Sequence, residues 1–99
     1  MAKLIHASTK KLGAILEEVL PKNPPYFSLS EMQYFVGGYI EFIHLPEGEI
    51  MVIDDEGKLK GKDPNWAATT LAHTHKAIWP QDIIMGDALY CNAGEIDPN

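Results

Sequence analysis

The sequence predicts an α+β fold: a small antiparallel sheet, built from an N-terminal strand or hairpin, a central hairpin and a C-terminal strand, with two helices packed on it. Three observations carry that prediction. A capping box and an apolar helical face lie over residues 28–36. Two apolar, partly alternating runs, 39–45 and 50–54, flank the turn Pro46-Glu47-Gly48-Glu49 and read as a hairpin. A second helical stretch opens at Asp63-Pro64, and a last apolar run follows it over 82–91.

Taken in order, residues 2–8 (Ala-Lys-Leu-Ile-His-Ala-Ser) read as an opening strand. In residues 9–20, Leu12, Ile15, Leu16, Val19 and Leu20 recur at helical spacing, so periodicity slightly prefers a helix there. Gly13 weakens that helix, and a strand from Ala14 paired with residues 2–8 is the alternative. Pro21 ends the segment, and Lys-Asn-Pro-Pro is a loop. Ser28 and Glu31 form the capping box of the next helix, whose face is Leu29, Met32, Phe35 and Val36. Phe27 is placed to staple onto Met32, and Gly37 supplies the left-handed stop.

In the strand 39–45, Ile40, Phe42 and His44 share one face, and Tyr39, Glu41, Ile43 and Leu45 the other. Residues 50–54 return from the turn, and a second turn at 55–58 leads to a short strand at Leu59. Asp63 as N-cap and Pro64 at the first helical position open a helix that runs to about Ala77, broken by Trp79-Pro80. Gly86 in the last strand marks a bulge or a close approach. Residues 92–99 read as a loose polar tail on a single domain, 1–99.

The 99 residues carry 14 acidic and 8 basic side chains, a net charge of −6, and every basic residue is a lysine. That balance argues against a nucleic-acid polymer or an anionic membrane surface as partner, since both need a basic stripe. One cysteine, Cys91, forms no internal disulfide, which points to a reducing cytosol. No apolar run reaches the roughly 20 residues of a membrane span. A core this thin would gain from association, so a homo-oligomer is expected.

Chemistry candidates are few. His73 and His75, two apart on a helix, point about 200° apart and share no metal ion; no metal and no cofactor is expected. Cys91 in an apolar strand reads as an inert thiol. The convergence that stands out is at the start of the second helix. Asn65 offers donors and an acceptor, Thr69 a hydroxyl and Trp66 a stacking face, with Lys58, Lys60 and Lys62 just upstream. The plain alternative is a capped helix with Trp66 in the core and solvated lysines.

Several segments occur in a telling order: Phe27-Ser-Leu-Ser-Glu-Met-Gln33, Val36-Gly-Gly-Tyr-Ile-Glu41, Ile50-Met-Val-Ile-Asp54, Glu56-Gly-Lys-Leu59, Asn65-Trp-Ala-Ala-Thr69 and Ile83-Ile-Met-Gly-Asp87. Together they resemble the small phage and plasmid family catalogued as domain of unknown function 3846, over about residues 2–95. The family pattern reads Asn-Glu where this chain has Asp54-Asp55. The resemblance implies that residues 14–20 are the second strand of an N-terminal hairpin, against the periodicity.

The resemblance also implies a phage context, in which small acidic proteins include sponges for nucleotide immune signals. The expectation is a non-enzymatic, oligomeric protein of the host cytosol that sequesters a cyclic nucleotide or a cyclic ADP-ribose relative. Trp66 or Tyr39 would stack the base, Asn65 and Thr69 would hydrogen-bond ribose or phosphate, and Lys58 would stand beside them. Asp87 would accept from a ribose hydroxyl or an exocyclic amine. A different class is an acidic inhibitor or DNA mimic, using carboxylates at 47, 49, 54, 55 and 56. A third is a small hydrolase or lyase, for which His44, His73 or Glu41 would have to supply acid–base chemistry.

Overall fold

The computed structural model describes residues 2–7 and 15–98. Over them the chain runs β1 (Ala2–His6), β2 (Ile15–Val19), α1 (Leu29–Val36), β3 (Ile40–His44), β4 (Glu49–Asp54), α2 (Trp66–Thr74) and β5 (Ala88–Asn92). Short 3₁₀ turns occupy Pro46–Gly48 and Ala93–Glu95. The five strands form one antiparallel sheet in the order β2-β1-β5-β4-β3.

The two helices cover opposite faces of this sheet. Alternation in the strands sends Ala2, Leu4, Ile50, Val52, Leu89 and Cys91 towards Met32 and Val36 of α1. It sends Ile5, Ile43, Met51 and Ala88 towards Ala68 and Ala72 of α2. With both faces covered, β4 buries Ile50, Met51 and Val52 in succession, which is why it reads as a continuous apolar run. The small side chains of Ala68 and Ala72 let α2 lie close on the sheet.

α1 forms as expected. Ser28 accepts from the Glu31 N–H, and the Glu31 carboxylate accepts from the Ser28 N–H. Phe27 and Met32 share the buried cluster, and Phe27 meets Phe35 edge-on at 6.1 Å. Gly37 ends the helix at φ 81°, and its N–H donates to Gln33 O. On β3 the expected faces also hold, with Ile40 against the α1 cluster and Ile43 in the α2 cluster.

Five expectations are corrected. First, residues 15–19 are a strand paired with β1, as the family resemblance implies, not a helix. Leu16 and Leu20, which complete the helical stripe, are exposed, while Val19 is buried on the sheet. Leu12, also part of that stripe, lies outside the described residues, as does Gly13. Second, residues 55–61 are turns and hold no strand at Leu59, whose side chain is 84% exposed.

Third, α2 begins at Trp66 with Asn65 as its cap, not at Asp63-Pro64, and ends at Thr74. Position 65 faces two carbonyl oxygens as well as the helix N–H groups, and an amide serves both where a carboxylate only accepts. Fourth, β5 begins at Ala88 and Gly86 precedes it, but the close approach expected at Gly86 is present, since a Cβ there would lie 2.8 Å from Lys62 Cδ. Fifth, the polar end expected as a loose tail is docked over residues 92–97. Phe27 N–H donates to Glu95 O (2.7 Å), Asp97 N–H donates to Phe27 O (3.0 Å), and Ile96 packs on the α1 cluster.

Candidate functional site

A cleft of about 510 Å³ opens on the α2 side of the sheet, beside the edge strand β3. Four stretches line it: β3, the end of β4 with its turn, residues 77–79 after α2, and residues 82–85. Glu41 and Ile43 reach it from β3 and Ile53 from β4, where Glu41 stands opposite Ile53 in register. Ile78 and Ile84 add apolar surface, and Trp79, 74% exposed, stands among the lining residues. His44, Asp55, Lys58 and Asp82 supply the polar rim.

The wall over 82–85 is held by the first turn of α2. Asn65 N–H donates to Ile84 O (2.8 Å), and Thr69 Oγ1 accepts from Ile84 N–H (2.9 Å) while donating to Asn65 O (2.7 Å). The Asn65 side chain donates to Ile5 O (2.8 Å) and Gly86 O (3.0 Å) and accepts from Ala68 N–H (3.1 Å). His73 Nε2 donates to Asp82 O (2.9 Å). Asp82 itself accepts from Lys58 Nζ and from Ile83 N–H, and the Lys58 ammonium, with that second bond, holds its carboxyl below the usual value against the opposing effect of burial.

A charged junction lies behind the cleft. The Asp54 carboxylate is fully buried and is met by Lys62 Nζ at 2.6 Å and Lys60 Nζ at 2.9 Å, with Glu56 N–H donating at 2.8 Å. Burial alone would push this carboxyl up; the bonds from Lys62, Lys60 and Glu56 more than reverse that and hold it at about 2. The same lysines donate to the end of α1, Lys62 to Val36 O (2.6 Å) and Lys60 to Gly37 O (3.1 Å). They sit where the helix dipole is negative. Gly38 makes room for this: a Cβ there would lie 2.8 Å from Asp54 Oδ1 and against Lys60 Nζ.

The structure does not bring the six expected binding residues together. Asn65, 1% exposed, and Thr69 are buried and join the α2 start to the cleft wall. Trp66, 55% exposed, is outside the cleft lining rather than in the core. Tyr39 is exposed beside a separate hollow shared with Gln33, Gly38, Glu56 and Lys60. Asp87 borders a third hollow near the end of α1, where it accepts from Ala7 N–H (2.8 Å) and faces His6 Nδ1 at 3.6 Å. Of the six, Lys58 alone lines the cleft.

Sequence reasoning missed Trp79 and Asp82 as site residues, because Trp79-Pro80 reads first as a helix stop. An aromatic side chain placed just past that stop, with no helical face to bury it, is the signal that would have found it. The acidic set is also divided: Glu47 and Glu49 lie at one end of β4, Asp55 and Glu56 at the other, and Asp54 is buried in ion pairs. Cys91 is buried, and desolvation, helped by Glu95, pushes its thiol up to about 12. Among the described residues no cluster of three or more His, Cys, Asp or Glu side chains could hold a metal ion, and no helix is long and apolar enough to cross a membrane.

Residues 9–97 match the family model described as Domain of unknown function (DUF3846). No curated protein and no solved structure matches the chain.

Proposed function

The chain belongs to the DUF3846 family, and from its geometry we propose that it is a non-catalytic binding protein for a small nucleotide-derived molecule. The observation that carries this reading is the cleft beside β3. Its volume lies in the range of small-ligand sites, and it pairs apolar surface with a few polar groups and an exposed indole. Trp79 would stack the base, and Glu41, Asp55 and Lys58 would hydrogen-bond its polar edge or the ribose. Asn65 and Thr69 would act as positioning residues for the wall.

Two reactive side chains are withheld from chemistry, while His44 and Glu41, the acid–base candidates, line the cleft and keep a small hydrolase or lyase as the alternative. Cys91 is kept as a thiol inside the core, and Asp54 is locked by two lysines. In the phage setting that the family resemblance implies, such a protein would withdraw a nucleotide immune signal in the host cytosol. Association of chains on the thin sheet would add core.

The test is a panel of cyclic nucleotides, ADP-ribose derivatives and nucleosides, read by melting temperature and heat of binding. A true ligand at about 100 times its dissociation constant adds roughly 2.7 kcal/mol. Trp79→Leu should abolish the shift while leaving the unliganded melt unchanged, and the bound compound should be recovered intact after denaturation. A panel without shift or heat rejects the reading; a cleaved product makes the protein an enzyme.

A further inference from the structure

We infer that the cleft selects its ligand by an amine-bearing aromatic ring and not by phosphate. The inference rests on the ligand-binding reading above. Its basis is the charge inventory around the cleft: Glu41, Asp55 and Asp82 against Lys58, with His44 also at the rim and Asp54 already paired with two lysines. Lys58 is already paired with Asp82. The other lysines of that loop, Lys60 and Lys62, are committed to Asp54 and to the carbonyls ending α1. The chain has no arginine to form a bidentate fork on phosphate. A phosphate entering here would therefore meet net negative charge, or would have to displace Asp82 from Lys58.

Ionised carboxylates only accept hydrogen bonds, so the rim asks its ligand for donors. An exocyclic amine on a flat ring supplies them, while the ring lies against Trp79 and the isoleucines of the cleft. A base of the adenine or cytosine type fits this demand. A carbonyl in place of the amine would set an acceptor against an acceptor.

The experiment compares adenosine with inosine, cytidine with uridine, and adenosine with AMP. Each is titrated into the full chain and followed by tryptophan quenching and calorimetry at low and moderate salt. The amine-bearing member of each nucleoside pair should bind at least tenfold tighter, AMP should bind no tighter than adenosine, and salt should change the affinities less than twofold. Glu41→Gln should weaken adenosine about tenfold without changing the melting temperature, since Glu41 is exposed. AMP binding more than tenfold tighter than adenosine, or inosine equal to adenosine, overturns the inference and leaves the binding reading intact. Failure of every nucleoside and nucleotide to bind removes both.

Discussion

Asn65 shows how one side chain can decide a fold detail. Its amide donates to two backbone carbonyls and accepts one helix N–H, all inside the protein. Asn65→Asp keeps size and capping ability but turns a carboxylate onto Ile5 O and Gly86 O. The expected loss is about 3 kcal/mol or more, larger than for Asn65→Ala, because an unpaired buried charge costs more than a missing bond. Urea unfolding at neutral pH measures it. Part of the loss in Asn65→Asp should return in acid, where the protonated carboxyl donates one bond. Equal losses in the two variants would show that donation by the amide is unimportant.

At the scale of elements, the Asp54 junction ties β4 to the end of α1 through the 58–62 turn. Its carboxyl is held at about 2, below its ordinary value of 3.8. A depressed folded value contributes stability above the unfolded pKa and loses it as pH falls through the folded one. Stability should therefore drop between about pH 4 and pH 2. Asp54→Asn should be less stable by about 1–3 kcal/mol at pH 7 and should lack this part of the acid dependence. Denaturant titrations of both proteins across that window give the comparison, and parallel curves would refute the assignment.

Elements differ in how far the sequence reveals them. α1 is legible because its signals are local: the Ser28/Glu31 box, the Met32 and Val36 face and the Gly37 stop lie within ten residues. The α2 start is not, because the carbonyls that call for an amide at Asn65, beyond its local cap to Ala68, lie 60 and 21 positions away. Periodicity misreads β2 because Leu16 and Leu20 imitate a helical face yet point to solvent, and pairing with β1 outweighs that pattern. The candidate site suffers most, since its lining comes from four separated stretches that only the folded chain assembles.

For the whole molecule, the two buried clusters make a thin three-layer body whose ends matter. Residues 93–97 close the α1 side by their two backbone bonds to Phe27 and the packing of Ile96. Deleting residues 93–99 should remove about 1–3 kcal/mol, a fall in melting temperature of roughly 5–20 °C for a domain of this size. Calorimetric melting of the shortened chain measures it; an unchanged melt would mean that the docked end contributes nothing. The negative surface has a related origin: Lys58, Lys60 and Lys62 spend their charge on Asp54 and Asp82, so the remaining carboxylates dominate the outward field.

The strand order carries a consequence for how the chain becomes a protein. β1 with β2, and β3 with β4, are hairpins of neighbouring segments that can close as soon as each has left the ribosome. Among the described strands, β5 alone pairs with both hairpins, and it is the last of the five to be synthesised. Until it emerges, β1 and β4 each present an open backbone edge to other nascent chains. The molecule is therefore most exposed to misassembly just before its final strand arrives, and β5 converts two separate ribbons into one sheet in a single late step.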